Sequence, residues 1–309
     1  MLQLPFGFHS TASDVLKGID LHGKTMIVTG GASGIGTETT AALAAAGASV
    51  VIAARRPDAA EVVARDLRAR TANPNIQVRL LDLSDLRSVT RFLDGWEGPI
   101  HALVNNAGIM ALPELQRTSE GWEMQFATNF LGHFALTLGL RRFLALANGA
   151  RVLSVSSSGS LFGPVVWDDP HFRFVPYDPL LAYAQSKTAC TLLSVGITER
   201  WDDDGISSNA LNPGAIATNL QRHTGGLRTP ELLRKTPEEG AATSVLLAAS
   251  PLVEGTSGRY FENCAEAPVV ESRPESRLEG VAGYALDSAN AERLWNMSLG
   301  LLEQRCPGS

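Results

Sequence analysis

The sequence predicts an α/β protein built on a single doubly wound parallel sheet of about seven strands, with helices on both faces. Three observations carry that reading. Short β-branched runs that are apolar throughout alternate with helix-length segments, the pattern of strands buried on both faces. A glycine-rich turn follows the first such run and opens onto an Ala-rich stretch. The 309 residues are 44% hydrophobic and 19% charged, enough to fill a large core at a length that doubly wound folds commonly hold in one body.

Residues 24–29 (KTMIVT) form the first strand, and GGASGIG turns it into a helix over the Ala-rich stretch 37–46. Further strands are expected at 49–54 (SVVIAA), 76–83 (IQVRLLDL), 101–106 (HALVNN), 151–157 (RVLSVSS), 206–212 (ISSNALN) and 258–262 (GRYFE). Helices are expected near 119–147, 181–201 and 237–249. Neither an internal repeat nor a low-complexity linker divides the chain, so 1–309 reads as one domain with a core of about 22–265, an N-terminal arm 1–21 and a C-terminal extension 266–309. Residues 159–180 combine prolines with Trp167, Phe172, Phe174 and Tyr177, which predicts an irregular loop carrying aromatic surface and a candidate substrate wall. The extension ends in a helix-like stretch 287–304, where Ser288 could cap the first turn. It is expected to pack on the outer surface or on a neighbouring subunit.

Composition narrows the function classes. A net charge of -6, with both signs mixed along the chain, lacks the basic stripe of a nucleic-acid binder. Cys190, Cys264 and Cys306 have neither disulfide-framework nor zinc spacing, which points to a reducing, cytoplasmic compartment. No apolar run reaches the roughly 18 residues of a membrane span, and the N-terminus lacks the pattern of a signal peptide. His101 and His133 have no second ligand at a metal-like interval, so they read as core residues and no metal is expected. Trp295 reads as part of a packed helix face.

Chemistry concentrates where strands end. Gly30, Gly34 and Gly36 stand where a strand must turn sharply into a helix and let a pyrophosphate approach the backbone, with the helix N-terminus facing the anion. The second strand ends in Ala54, Arg55 and Arg56 instead of the carboxylate that binds a free ribose, and guanidinium groups there suit a 2′-phosphate, hence NADP(H). Tyr183 and Lys187 lie one helical turn apart on a shared face, where an ammonium favours the phenolate. A hydroxyl at the end of the fifth strand, from Ser156, Ser157 or Ser158, can donate to a substrate oxygen. Asn105, Asn106 and Gly108 close the fourth strand as a turn, and Asn129 is a polar residue in apolar company that must find hydrogen bonds.

In order and approximate spacing TGGASGIG, NNAG, Asn129, SVSSSG, YAQSK and NPG (212–214) resemble the short-chain dehydrogenase/reductase superfamily over about residues 22–265. The N-terminal FGFHSTASDVLKGIDLHGK, the phrase TNFLGHFALT and the long insertion before Tyr183 look like its retinol dehydrogenase and WW-domain oxidoreductase branch, without a WW domain. The resemblance implies a Rossmann fold and a tetrad of Asn129, Ser157, Tyr183 and Lys187. Tyr183 would exchange the proton, Ser157 polarise the carbonyl oxygen, Lys187 hold the nicotinamide ribose, and Asn129 support a water-linked proton relay. It also implies a cofactor envelope in which Thr29, Ser33, Ile35 and Ala107 join the glycines, Arg55, Arg56, Asn106 and Gly108. Asp82 and Leu83 would meet the adenine, while Pro213, Gly214, Ile216 and Thr218 would cover the nicotinamide carboxamide. The stretch 219–236 resembles a mobile substrate-binding loop. The expected activity is NADP(H)-dependent carbonyl reduction or alcohol oxidation on a mainly apolar small molecule; a catalytically silent NADP(H) sensor and a double-bond reductase are the alternatives. Pairing of the helices near 119–147 and 183–201 would give a homodimer or homotetramer, unless the extension blocks that surface.

Overall fold

The computed structural model describes residue 2 and residues 4–304, so Cys306 lies outside the described residues. Eight strands form the central sheet: β1 Thr25–Thr29, β2 Ser49–Ala54, β3 Ile76–Leu80, β4 Ala102–Asn105, β5 Ala150–Val155, β6 Ile206–Asn212, β7 Tyr260–Glu262 and β8 Ala265–Glu266. Their order is β3-β2-β1-β4-β5-β6-β7-β8, parallel throughout except for β8, which returns antiparallel to β7. The seven expected strands are thus present with one added edge strand. Asn263 and Cys264, both at positive φ, make the two-residue turn that creates it.

Why the strands read as unbroken apolar runs is visible in β1 and β2. Ile27, Val51 and Ala53 enter one apolar layer, whereas Met26, Val28, Val50 and Ile52 enter the other. Alternate residues point to opposite faces, and both faces are covered. Helices α1 Ile35–Ala45, α2 Pro57–Thr71 and α6 Pro237–Ala249 cover one side; α3 Leu86–Leu93, α4 Gly132–Ala145 and α5 Pro179–Trp201 cover the other. Asp178 accepts from the Leu180 and Leu181 N–H groups ahead of Pro179, which starts α5 cleanly. Among the described residues no helix is long and apolar enough to cross a membrane.

Several boundaries depart from the sequence expectation. The third strand stops at Leu80 rather than residue 83, because the Asp82 carboxylate turns the chain by accepting from the Ser84 N–H and hydroxyl. The fifth stops at Val155 rather than residue 157, where Ser157 Oγ accepts from the Gly159 N–H and starts a 3₁₀ turn. The helix expected from 119 begins at Met124, capped by the Glu123 carboxylate, and widens into a π turn at Ala127–Leu131 before α4.

The expected aromatic surface of 159–180 is largely turned inward. Phe172 is buried, the Tyr177 hydroxyl donates to Leu112 O and accepts from Gln125 Nε2, and Trp167 lies under the Arg293 guanidinium. Phe162 and Phe174 are the exceptions, the latter at 90% exposure. A loop of this length stays ordered by satisfying its own backbone: Asp169 accepts from the N–H groups of Arg173, Phe174 and Val175.

Helix α7, Ser288–Glu303, packs on α5 of the same chain. Its cap is Asp287, which accepts from the Asn290 N–H; Ser288 is the first helical residue. Trp295 stands edge-on to Phe134 and Trp201, over a bare Gly196 whose added Cβ would lie 2.9 Å from the indole.

Candidate active site

The C-terminal ends of β1, β4, β5 and β6 lie side by side, so the loops that leave them share one crevice. The loop after β1 turns through Gly30 (φ 65) and Gly34 (φ 54), conformations open to glycine without strain. Position 36 is closed to any side chain: a Cβ there would strike Gly30 O and come 2.7 Å from Asn106 Nδ2. Ser33 donates its N–H to Gly30 O and Ile35 opens α1, whose Gly36 and Thr37 N–H groups donate back to Ser33 O and Gly34 O, so the loop tightens onto the start of the helix. A Cβ on Gly34 would touch Thr218, so the loop after β6 closes over the glycines from the other side. Between them lies a cavity of about 510 Å³ whose lining includes Gly34, Thr218, Asn219, Arg222 and Pro237.

Arg55 and Arg56 leave the end of β2 exposed, and among the described residues neither has an ion-pair partner. Asp82 is turned back onto Ser84, with one carboxylate oxygen committed to that turn. Leu83 is buried, and its carbonyl abuts Gly132, where a side chain could not be inserted. After β6, Asn212 Oδ1 accepts from the Gly214 N–H, Gly214 takes φ 94, and Ala215–Ile216 pairs in parallel with Arg234–Lys235. That pair closes the base of the segment 219–236, which starts at a capping box formed by Thr218 and Gln221.

The candidate acid-base residues converge from two elements. α5 carries Tyr183 and Lys187 on one face, both buried, with Lys187 Nζ 5.7 Å from the centre of the Tyr183 ring and donating to Val155 O at 2.9 Å. Opposite them, a Cβ built on Gly159 would lie 2.8 Å from Tyr183 Cε1 and 3.3 Å from Ser157 Oγ. The tyrosine ring and that hydroxyl therefore flank the same bare backbone. Ser157 Oγ accepts from Gly159, which leaves its O–H for a ligand. Ser156 is instead committed inward, donating to Lys187 O and accepting from Thr191. Gly108 plays the same clearing role below, since its missing Cβ would stand 3.2 Å from Asn129 Oδ1 and 3.4 Å from Lys187 Nζ.

Asn129 sits in the π turn and is almost wholly engaged by protein groups. Oδ1 accepts from the Ile109 N–H, Nδ2 donates to Ile109 O and Ser186 Oγ, and its backbone carbonyl accepts from Cys190 Sγ and His133 Nδ1. One Oδ1 lone pair, on the Gly108 side, is left for a water; its backbone carbonyl has no place for one. Asn129 thus clamps the loop after β4 to α5 as its main structural act.

Sequence reasoning set His133 aside as packing, and its four-residue spacing from Asn129 was the available signal for more. The imidazole is fully buried between two functional loops: Nδ1 lies 2.8 Å from Asn129 O and Nε2 2.9 Å from Thr29 Oγ1. A carbonyl can only accept, so Nδ1 carries the proton and Nε2 receives the threonine O–H. Thr29 Oγ1 then accepts from the Asn106 and Ala107 N–H groups, and Asn106 Nδ2 donates to Thr29 O. The glycine loop, the loop after β4 and the Asn129 turn become one hydrogen-bonded unit. Burial pushes the His133 pKa down to about 4, which keeps this tautomer neutral.

Comparison with known proteins gives the family of the chain. The family profile described as short chain dehydrogenase matches residues 24–226. A "Probable oxidoreductase" of Streptomyces lividans is 51% identical, over 90% of this chain and 97% of its own length. Mouse retinol dehydrogenase 13 is 36% identical over 91% of this chain and 84% of its own, and mouse polyprenol dehydrogenase is 38% identical over 90% and 84%. Among solved structures, a Mycobacterium paratuberculosis protein superposes with a TM-score of 0.74 at 32% identity, covering 96% of this chain and 98% of that one. An NADP active-site complex of Pseudomonas aeruginosa RhlG superposes at 0.62 with 27% identity, covering 78% and 95%.

Proposed function

Since this chain belongs to the short-chain dehydrogenase family, in its retinol dehydrogenase-like branch, and is thereby an oxidoreductase, we propose that it couples NADP(H) to carbonyl reduction or alcohol oxidation on a mainly apolar small molecule. The observation that carries the reading is the convergence of Tyr183 and Ser157 on the bare backbone of Gly159, with the Lys187 ammonium behind the phenol. The crevice beside them fits a dinucleotide: a turn that Gly30 and Gly34 make at positive φ, a position 36 that no Cβ could occupy, and at the end of β2 two exposed guanidiniums with no ion-pair partner among the described residues. When bound, NADP(H) supplies or accepts the hydride.

The chain's own residues do the rest. In the reductive direction Tyr183 donates its hydroxyl proton to the carbonyl oxygen, and Ser157 donates a second hydrogen bond to that oxygen as charge gathers on it. Lys187, held by Val155 O, keeps positive charge behind the phenol and would hold the nicotinamide ribose. Asn129 and Gly108 keep the Lys187 surroundings clear and anchored. Arg55 and Arg56 would grip the 2′-phosphate, and Asp82 with Leu83 would border the adenine. Pro213, Gly214, Ile216 and Thr218 would lie along the carboxamide. The apolar character of the substrate is supported by exposed Phe162 after β5, Leu180 in the first turn of α5 and Leu232 in the segment after β6, and by relatives named for retinol and polyprenol.

Tyr183→Phe is the decisive variant. NADPH consumption across a panel of apolar ketones and aldehydes, read at the nicotinamide absorbance, should drop by about 10² to 10⁴-fold while NADPH still binds. A variant that turns over at the wild-type rate would remove Tyr183 from the chemistry.

A further inference from the structure

The N-terminal arm is used by nothing in the chemistry above, yet it reaches the loop that would cover the nicotinamide. Its anchor is Lys235. The Lys235 stem runs under Gly214, so closely that a Cβ on Gly214 would lie 3.0 Å from Lys235 Cδ and 3.2 Å from Cε. The Lys235 backbone is held in register by the parallel pairing of Ile216 with Lys235. Its ammonium, however, is buried and has no hydrogen-bond acceptor among the described residues. What faces it is the ring of Phe8, with Nζ 4.8 Å from the ring centre. Next along the arm, His9 Nδ1 lies 2.9 Å from Glu239 Oε1, in the first turn of α6. The turn at Ala12–Val15 then packs against α6, which completes the attachment.

A buried ammonium without an acceptor is costly, by several kcal/mol before compensation. Burial pushes the Lys235 pKa below the usual lysine range, while the neighbouring Cys264, Glu239 and Glu262 pull the other way. The direct compensation is the negative face of the Phe8 ring. Without that face the ammonium gains most by swinging out to water, and the stem that supports Gly214 leaves with it. Gly214 is at φ 94 in a turn braced by Asn212, so its position depends on what lies beneath.

We propose that the N-terminal arm is a latch for the cofactor loop: Phe8, acting through Lys235, is a positioning residue that holds Gly214 and the turn 213–218 in the shape that receives the nicotinamide carboxamide. This rests on the NADP(H) reading for its final clause, and the latch itself can be tested without nucleotide. Hydrogen exchange of peptides spanning 213–218 and 234–236 is measured in the full, nucleotide-free chain for wild type, Phe8→Leu and Phe8→Trp. Phe8→Leu keeps an apolar arm and removes the ring face; Phe8→Trp restores one. Exchange should quicken by about tenfold in Phe8→Leu and return toward wild type in Phe8→Trp, the factor equivalent to ~1.4 kcal/mol. NADPH affinity, followed by dihydronicotinamide fluorescence, should weaken by a similar factor in Phe8→Leu, and the kinetic loss should fall on KM for NADPH more than on kcat. In a Lys235→Met background Phe8→Leu should produce no further change.

Equal exchange in wild type and Phe8→Leu would overturn the latch, as would a tryptophan that behaves like leucine or an undiminished effect in Lys235→Met. Quickened exchange with unchanged NADPH affinity would overturn the positioning role. A wild-type chain that fails to bind NADPH would count against the cofactor reading, with the exchange comparison still deciding the latch.

Discussion

Acid should loosen this protein through His133, and the size of the effect follows from its surroundings. In the folded chain the imidazole is neutral, with a pKa moved by burial from 6.5 to about 4. In the unfolded chain it returns to 6.5. Between those values the unfolded state holds a proton that the folded state does not, so stability falls as pH drops from 6.5 toward 4. At about 1.36 kcal/mol per unit, the whole interval is equivalent to ~3.4 kcal/mol. His171, also buried and pushed down to about 4, acts in the same direction. Glu123 opposes them: burial raises its carboxyl from 4.5 to about 7, so the folded state keeps a proton there and gains stability on acidification over that window. A bare acid titration therefore mixes these with other shifted groups, among them His101, lowered by burial, and Glu262, raised by it, and the difference between wild type and His133→Gln isolates one. Urea unfolding at steps from pH 7.5 to 4.5 should show wild type falling more steeply than the variant below pH 6.5, by up to about 3 kcal/mol in total. At pH 7.5 the variant should already be weaker, through the lost link between Thr29 and Asn129. Parallel pH profiles would refute the account of a neutral imidazole trapped between those two residues.

Further consequences are as specific. Gly36→Ala forces a Cβ into Gly30 O and toward Asn106, so NADPH binding measured by fluorescence titration should be lost with the fold intact by circular dichroism; retained affinity would argue against the glycine cradle. Replacing Arg55 and Arg56 together by Ala should raise KM for NADPH by about 10 to 100-fold, two charge-assisted contacts' worth, with little change for NADH. Equal effects on both cofactors would place the 2′-phosphate elsewhere. Trp295→Ala opens a hole between α7, Phe134 and Trp201 and should lower unfolding stability by roughly 3–5 kcal/mol in a urea melt. A change within experimental scatter would show that α7 is not held by that ring.

Most of the sheet could be read from residue order, because strands buried on both faces are apolar at nearly every position; β1, β2 and β4 show this most plainly, whereas β6 buries Ser208 and Asn209, which donate to Val152 O and Thr256 O. Ends were harder. β3 and the start of the helix at Met124 are set by single carboxylates, Asp82 and Glu123, that compete for backbone N–H groups. Hydrophobic periodicity does not register such contacts. The aromatics of 159–180 misled for a related reason: a proline-rich loop looks exposed in sequence, but this one is folded inward by Asp169 and by Arg117, which donates to the carbonyls of His171 and Phe172.

At the site, residue identity spoke for Tyr183 and Lys187, whose spacing on a helix leaves their shared face no freedom, and for the glycines, which alone tolerate the turn after β1. The choice among Ser156, Ser157 and Ser158 was a matter of direction, and only packing shows Ser156 tied to Lys187 O while Ser157 stands by the phenol. His133 and Phe8 acquire their meanings from partners about a hundred and more than two hundred residues away, Thr29 and Lys235. Local order determines which backbone shapes and helix faces are available, since those follow from sterics between near neighbours. Which buried polar groups meet is decided when the layers close, because excluding water obliges each one to find a partner across the fold.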